Sequence, residues 1–297
     1  MRTDVKKEIS VIIVTWNVSD FITQCVESAQ NSIAGIPSEI VIIDNNSTDG
    51  TKKIIKELSE KYTNIIYRIN ADNMGFAQAN NAGIKIASGK YIVLLNPDTI
   101  VKNNAFKEML RFFSKTPNVA VAGCRHLNSD GTLQPSVRAF PTLLSQSLIL
   151  LKLHRIFPNL PSLKKYFLTN FDYEKTQIVD QVAGSFFMLP RQVIDDIGYL
   201  DEKYFIWFEE VDYCKRVKEK GKFVYYVSQA EIIHFGSQSF QQVLSTKKQR
   251  MFNASMRYFF LKHHGITSYL IISCLHPTSM LLSFFSRITP KNRQNNI

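Results

Sequence analysis

The chain has 297 residues, 45% of them hydrophobic, and its excess of Lys and Arg gives a formal net charge of +11 at pH 7. This hydrophobic content is enough for a full core and excludes a disordered or low-complexity chain. The positive charge favours anionic partners, namely nucleotides, pyrophosphates, nucleic acid or acidic lipid headgroups, without choosing among them.

Short β-branched runs alternate with amphipathic stretches through the first third of the chain. Strands are predicted over residues 9–15, 39–43, 64–69 and 91–95, and helices after Asn17 and over residues 51–62 and 76–87. Short strands buried on both faces and separated by helices indicate an α/β protein with a mostly parallel, doubly wound sheet. Gly89 is expected to end the helix before the last of these strands.

This rhythm stops between about residues 134 and 180, where four prolines surround an apolar helix predicted over residues 143–153. The segment is expected to be a helical insertion or lid. A strand over 185–189, a helix from Arg191 and a strand over 223–227 then resume the domain, which we predict to span residues 1–240.

Residues 241–297 are predicted to form a helical, membrane-associating appendage. Residues 266–285 are long enough to span a bilayer, but His276, Pro277 and several Ser and Thr residues interrupt them. An interfacial or core helix pair is therefore expected rather than a span. Four cysteines without a CxxC pair, and no signal-peptide pattern before the first strand, favour a cytoplasmic location.

Polar residues gather where the predicted strands end, which is where sheets of this class bind ligands. The first strand-to-helix turn contains no glycine, and neither GxGxxG nor GxxxxGK[ST] occurs, so a nucleotide would be held by side chains and a metal. The polar turns comprise Thr15 and Asn17, residues 44–51, Asn73, and residues 96–98.

Each of these features also has an ordinary structural explanation. Residues 44–51 contain enough polar side chains for one or two of them to cap a helix, as Thr48 or Asp49 would, and for Asp44 and Asn46 to contact a ligand as well. Asp98 suits a hard divalent cation, or it caps the next helix.

Acidic residues of the segment 201–212 stand among aromatic side chains just before a predicted helix. Aromatic surroundings raise the pKa of a carboxyl group, which suits a general base, whereas an acidic first helical turn needs no catalytic role. His234 ends an apolar strand, where a histidine is either a core residue or a metal ligand.

Taken together and in order, the segments 9–17, 41–51, 73–76, 80–83, 94–98 and 208–214 resemble family 2 glycosyltransferases. The stretch 131–142 and the Asn-Pro-Asp form of residues 96–98 resemble the bacterial rhamnosyltransferase branch of that family. The resemblance implies a GT-A fold, a Mg²⁺ or Mn²⁺ ion, and inverting transfer of L-rhamnose from dTDP-L-rhamnose. The implied acceptor is a hydroxyl of a glycan or polyprenyl-diphosphate-linked sugar in cell-surface polysaccharide synthesis.

The same resemblance assigns roles to individual residues. It places Asp98 and His234 at the metal, with Asn96 replacing the first acid of the DxD motif, and it makes Glu210 the catalytic base, with Glu209 and Asp212 as alternatives. The pyrimidine base would stack on Trp16 between Thr15 and Asn17, with Asp44 accepting its N3–H and Asn46 near the ribose. The expected substrate-binding set is Thr15, Trp16, Asn17, Asp44, Asn46, Asn73, Gly75, Asn80, Asn96 and Asp201.

Two other functions fit the sequence less well. A nucleotidyltransferase that makes sugar nucleotides normally has a glycine-rich basic loop after its first strand, and this chain lacks one. A nucleic-acid-binding module is disfavoured because the basic residues are dispersed and no RNA-binding motif occurs, so no nucleic-acid partner is expected. We expect peripheral attachment to the inner face of the cell membrane, with anionic headgroups bound by Lys262, Arg287, Lys291 and Arg293.

Overall fold

A computed structural model describes residues 7–236 and 244–285. The strands in these residues are β1 Ile9–Thr15, β2 Ser38–Asp44, β3 Ile65–Ile69, β4 Tyr91–Leu95, β5 Thr99–Val101, β6 Val119–Leu127, β7 Leu133–Gln134, β8 Val137–Arg138, β9 Gln177–Val179, β10 Gln181–Val182, β11 Phe186–Pro190 and β12 Phe223–His234. The central sheet follows the path β3-β2-β1-β4-β11-β6-β12-β5, with β7 paired to β6 and β9 to β12. The helices are α1 Ser19–Ser32, α2 Thr51–Lys61, α3 Phe76–Ile86, α4 Ala105–Lys115, α5 Leu143–Leu150, α6 Pro161–Phe167, α7 Arg191–Ile197, α8 Glu209–Glu219 and α9 Ser245–Phe285.

The four strands β3, β2, β1 and β4 run parallel to one another, as the alternation of strands and helices predicts. β1, β2 and β4 are buried along almost their whole length, because an apolar core packs on each face of the sheet. β11 then pairs antiparallel with β4, and β12 returns to run parallel to β6. The predicted α/β class with a mostly parallel sheet is confirmed.

The interpretation of Gly89 as the glycine that ends a helix is wrong. α3 ends at Ile86, and its capping residue Ala87 already has extended backbone. A Cβ atom at Gly89 would lie 2.5 Å from the backbone nitrogen of Ser10, so glycine is needed because two backbones approach each other closely.

The insertion over residues 134–180 carries the short helices α5 and α6 and the strand β8, which pairs with β10 just after the insertion. α5 ends at Leu150, three residues earlier than predicted, and a separate 3-10 turn covers Leu153–Arg155. The insertion packs on α9 through α5. Its role as a lid stays a prediction.

The segment α9 is folded into a hairpin. Gly265 has a φ of 80° and a ψ of 178°, outside the helical region. Asn253 Nδ2 lies 2.9 Å from His276 Nδ1, whereas a straight helix would separate residues 23 positions apart by about 35 Å. Residues 245–264 and 266–285 are thus the two arms of what we name the C-terminal hairpin. The expectation of a helix pair within residues 266–285, interrupted at His276 and Pro277, is wrong, because the backbone leaves the helical region at Gly265 and Pro277 stays inside the second arm.

One helix in the described part of the chain, Thr246–Phe284, is long and apolar enough to cross a membrane by length and hydropathy alone. The chain reverses direction at Gly265. The continuous helix that contains most of the apolar residues is therefore the second arm of the hairpin alone.

Candidate active site

A cavity of about 270 Å³ opens at the carboxyl ends of β1 and β4, beside the start of α8. This is the position that parallel sheets offer to ligands. Of the residues predicted from the sequence, it is lined by Thr15, Trp16, Asn73, Gly75, Asn96, Asp98, Glu209, Glu210 and His234. The other predicted residues lie outside this lining set, namely Asn17, Asp44, Asn46, Asn80, Asp201 and Asp212.

Asp44 is engaged with the protein. Its carboxylate accepts hydrogen bonds from Thr15 Oγ1 at 2.9 Å, from Ser47 Oγ at 2.6 Å and from the Ser47 backbone N–H at 2.9 Å. Asp44 therefore joins the ends of β1 and β2 and holds Thr15 at the edge of the cavity. Its contact with a pyrimidine base stays a prediction.

Asn17 and Asn46 both have left-handed backbone, with φ values of 50° and 58°. Asn17 Oδ1 accepts from the Thr48 backbone N–H at 2.7 Å, and Asn46 accepts from Lys52 Nζ at 2.6 Å. These bonds fix the two turns that flank the cavity. Asp49 accepts from the Thr51 backbone N–H at 2.9 Å and so satisfies the first amide of α2, whereas the N-cap residue itself is Gly50, without a side-chain capping bond.

Asn80 and Asp201 are also held within the protein. The Asn80 side chain donates to the Phe76 carbonyl, one turn back in α3. Asp201 accepts from Lys262 Nζ at 2.7 Å and from the Tyr258 hydroxyl at 2.9 Å, and both donors belong to the C-terminal hairpin.

The Gly75 turn closes one side of the cavity. Its φ of +83° favours glycine, and a Cβ atom there would lie 2.4 Å from the Phe205 carbonyl oxygen. The next backbone N–H, that of Phe76, donates to this same oxygen at 2.7 Å. The turn that contains Asn73 is thus bound directly to the aromatic segment that precedes α8.

Asp98 and His234 meet at the bottom of the cavity, with 3.5 Å between His234 Nε2 and Asp98 Oδ1. Asp98 is 3% exposed. The turn before it is fixed because the Asn96 backbone N–H donates to the Ser185 carbonyl, and the Asn96 carbonyl accepts from Thr99 Oγ1.

Gln134 determines which nitrogen of His234 faces the cavity. The Gln134 Nε2 group donates to the carbonyls of His234 and of the Asn128 side chain, so its Oε1 is the atom 2.7 Å from His234 Nδ1. An amide oxygen only accepts, so His234 Nδ1 carries the proton and Nε2 is left with a lone pair. Sequence reasoning missed this residue, although it lies in the stretch 131–142 that carries part of the family resemblance.

These residues fit a divalent cation. His234 Nε2 is buried with no hydrogen-bond partner, and it faces the carboxylate of Asp98. Among residues 7–236 and 244–285, no group of three or more His, Cys, Asp or Glu side chains is placed to hold a metal. A pair of protein ligands is nevertheless typical of Mg²⁺ and Mn²⁺ sites in which substrate phosphates and water complete the coordination.

Glu209 and Glu210 line the same cavity from the first turn of α8. Each has a buried Oε2 atom without a hydrogen-bond partner. Burial, followed by the adjacent charge of Glu210, raises the pKa of Glu209 well above its usual range, and burial raises the pKa of Glu210. A carboxylate in such surroundings is a stronger base than one in water, which suits removal of a proton from a hydroxyl group.

Asp212 differs from both glutamates. Its side chain is fully buried, and it accepts hydrogen bonds from His263 Nε2 and Arg216 Nε, each at 2.8 Å. Burial alone would raise the pKa of Asp212, but the hydrogen bonds from His263 and Lys262 outweigh it and lower this pKa to about 2. Asp212 lies outside the cavity lining, and its role as an alternative base stays a prediction.

The glycosyl transferase family 2 model matches residues 10–198. The chain is 25% identical over 214 residues to the N-acetylglucosaminyl-diphospho-decaprenol L-rhamnosyltransferase of Mycobacterium tuberculosis (strain ATCC 25618 / H37Rv), covering 68% of each chain. It is 23% identical over 256 residues to the rhamnosyltransferase WbbL of Escherichia coli (strain K12), covering 84% of this chain and 91% of that one.

A third relative is much longer than this chain. The minor teichoic acid biosynthesis protein GgaB of Bacillus subtilis (strain 168) is 34% identical over 112 residues, which cover 37% of this chain and 12% of that protein. Among solved structures, the mannosyltransferase PcManGT from Pyrobaculum calidifontis in complex with GDP-Man and Mn²⁺ aligns with a TM-score of 0.59 and 12% identity, over 97% of this chain and 77% of that one. The fold is that of GT-A glycosyltransferases, as expected, and the chain belongs to glycosyltransferase family 2, with similarity to its rhamnosyltransferases.

Proposed function

We propose that this glycosyltransferase moves L-rhamnose from dTDP-L-rhamnose to a hydroxyl of a polyprenyl-diphosphate-linked glycan, with inversion at the anomeric carbon. The observation that carries the proposal is one cavity bounded by two kinds of group. Glu209 and Glu210 bring buried carboxyl oxygens without hydrogen-bond partners, and Asp98 and His234 bring a site for a cation.

In the proposed reaction, Glu210 takes the proton of the acceptor hydroxyl. The hydroxyl oxygen forms a bond to the anomeric carbon on the face opposite the nucleotide, and the bond from that carbon to the diphosphate breaks with its electron pair on the leaving diphosphate. The buried position of the carboxyl group favours its protonated product form. No covalent enzyme intermediate is needed.

Asp98 and His234 would hold a Mg²⁺ or Mn²⁺ ion, and Gln134 keeps His234 in the tautomer that can bind it. When bound, the ion would offset the negative charge of the nucleoside diphosphate. The solved structure of PcManGT, which shares the fold, is a complex with GDP-Man and Mn²⁺ and supports this assignment.

The choice of a 6-deoxy sugar rests on the apolar part of the cavity. Phe76, Ile206 and Trp207 line it beside the two glutamates. L-Rhamnose carries a methyl group where hexoses such as glucose carry a hydroxymethyl group. An apolar wall favours that methyl group by roughly 0.8 kcal/mol and leaves an extra hydroxyl without a partner. Two relatives named as rhamnosyltransferases agree with this donor.

A lipid-linked acceptor requires access to a membrane, and the C-terminal hairpin offers a surface for it. Its second arm has no charged residue, and Ile266, Leu270 and Leu281 are each more than half exposed. An apolar helix face of this kind lies in the plane of a membrane surface. We therefore propose peripheral attachment at the inner face of the cell membrane.

One expected headgroup ligand has another role. Lys262 binds Asp201 and Asp212 inside the protein, with both distances at 2.7 Å, so its charge is already paired. The other three expected cations, Arg287, Lys291 and Arg293, lie outside the described residues. In the described part of the chain, the apolar face of the second arm is thus the main basis for membrane attachment.

The test is a donor screen with the purified full chain, Mn²⁺ and a short-chain polyprenyl-diphosphate glycan acceptor. We expect nucleoside diphosphate release with dTDP-L-rhamnose and at least tenfold less with dTDP-glucose, which has the same nucleotide. Preference for dTDP-glucose would contradict the proposed donor. Absence of transfer from every dTDP- and UDP-sugar would overturn the proposed function.

A further inference from the structure

We propose that Lys262 and His263 of the C-terminal hairpin are positioning residues for the Glu209–Glu210 pair, which they hold in the cavity through Asp212. The inference rests on the proposed role of that pair as the source of the catalytic base. It makes the hairpin part of the active site's support as well as a membrane-associating appendage.

The first argument is the set of contacts at Asp212. Its Oδ1 atom lies 2.7 Å from Lys262 Nζ and 2.8 Å from His263 Nε2, and its side chain has no exposed surface. Its backbone N–H donates to the Phe208 carbonyl at 2.8 Å, which is the first hydrogen bond of α8. Asp212 is thus one helical turn from Glu209, and whatever fixes Asp212 also fixes the start of the helix.

The second argument is the strained backbone just before the glutamates. Trp207 and Phe208 both have left-handed backbone, with φ values of 63° and 71°, a conformation that bulky side chains rarely adopt. Phe208 is the N-cap residue of α8 and provides no side-chain capping bond. Such a turn persists only when its surroundings hold it in place.

Those surroundings come from the first arm of the hairpin. The Ser255 hydroxyl donates to the Ile206 carbonyl at 2.7 Å. The Phe208 ring lies 5.6 Å from the Phe252 ring and 5.3 Å from the Phe259 ring, measured between centroids. Hydrogen bonds, ion pairs and ring packing from one arm therefore converge on the turn that directs Glu209 and Glu210 into the cavity.

The metal-binding part of the site does not depend on these contacts. His234 ends β12, which pairs with β5 directly after Asp98, and Gln134 on β7 holds the His234 ring. Mn²⁺ binding should therefore survive when the hairpin contacts are removed, while turnover should fall. This difference separates a positioning role from a general contribution to folding.

The experiment compares Lys262→Met/His263→Leu with wild type and with Lys247→Met, which removes a charge from an exposed position on the same arm. We expect the double variant to lose about 10- to 100-fold in kcat, because small misplacements of a catalytic group have effects of that size. The dissociation constant for Mn²⁺ should change less than about twofold, well below the loss in kcat. The single variant Lys262→Arg keeps the positive charge and should retain most of the wild-type activity.

Amide hydrogen exchange provides a second test that does not require enzymatic activity. Amides of residues 205–212 should exchange faster in the double variant, and those of β1 and β4 should be unchanged. Unchanged kcat and exchange would overturn the inference, as would equal losses of Mn²⁺ binding and kcat. If the double variant does not fold, Ser255→Ala replaces it, because this change removes the hydrogen bond to the Ile206 carbonyl. We then expect faster amide exchange at residues 205–208, and unchanged exchange there would contradict the inference. If wild type itself transfers no sugar, the proposed function fails, and the exchange experiment still decides whether the hairpin holds the turn.

Discussion

Replacement of Glu210 by Gln is the perturbation with the clearest expected result. The exchange keeps the size of the side chain and removes its ability to take a proton. Glu210 lines the cavity, and its buried Oε2 atom has no hydrogen-bond partner. A general base contributes about 10²- to 10⁴-fold to turnover, which corresponds to about 2.7–5.4 kcal/mol in the activation free energy.

The assay is steady-state transfer from dTDP-L-rhamnose, together with calorimetry of donor binding. We expect kcat to fall by the stated factor while the donor dissociation constant stays within about twofold of wild type, because a base acts only in the transition state. Glu209→Gln is the matched control, since it makes the same change at the adjacent cavity position.

The pH dependence gives an independent check. A base must be deprotonated, so kcat/KM should fall as pH drops through its pKa. Burial raises the pKa of Glu210, so the acidic limb should lie above the ordinary glutamate value of about 4.5. Retention of more than about a tenth of wild-type turnover by Glu210→Gln would refute the assignment, and loss of turnover in Glu209→Gln alone would transfer the role to Glu209.

Four further predictions follow from the same geometry. Asp98→Asn should weaken Mn²⁺ and Mn²⁺-dependent donor binding, because it removes the charge beside His234, and calorimetry with equal affinities for both proteins would contradict this. Gln134→Leu should weaken Mn²⁺ binding by about 10- to 100-fold, because His234 loses the acceptor that fixes its tautomer, and an unchanged Mn²⁺ titration would remove Gln134 from that role. Glu209→Gln should raise Tm at pH 7 and change it less at pH 4, and a Tm at pH 7 equal to or below that of wild type would contradict this. The pKa of Glu209 is raised in the folded protein, so its contribution to stability is fully present below the ordinary glutamate value and is lost as pH rises from there through the raised pKa. Leu270→Glu/Leu281→Glu should abolish sedimentation with anionic lipid vesicles while leaving Tm within about 2 °C, since both side chains are more than half exposed, and unchanged sedimentation would exclude this surface.

The parallel half of the sheet could be predicted from the sequence because β1, β2 and β4 are buried on both faces. Burial of that kind leaves continuous β-branched runs, which local patterning detects. Gly89 could not be interpreted in the same way. Its reason is the approach of Ser10, which is distant in sequence and leaves no local pattern.

The residues of the candidate site could also be predicted only in part. Residues at strand ends, such as Asp98, were located because topology alone brings strand ends together. Which acid of the segment 201–212 enters the cavity depends on the left-handed turn at Trp207 and Phe208 and on its contacts with the hairpin. Gln134 reaches His234 only through the pairing of β7 with β6, a register that the sequence does not reveal.

The central claim is that this chain transfers L-rhamnose by direct displacement, with a cavity glutamate as base. The most direct test is the anomeric configuration of the product formed by the purified full chain from dTDP-L-rhamnose and a lipid-linked glycan acceptor, determined by NMR. The account predicts a rhamnosylated acceptor whose anomeric configuration is inverted relative to the donor. A product with retained configuration, or no rhamnosylated product, would contradict it.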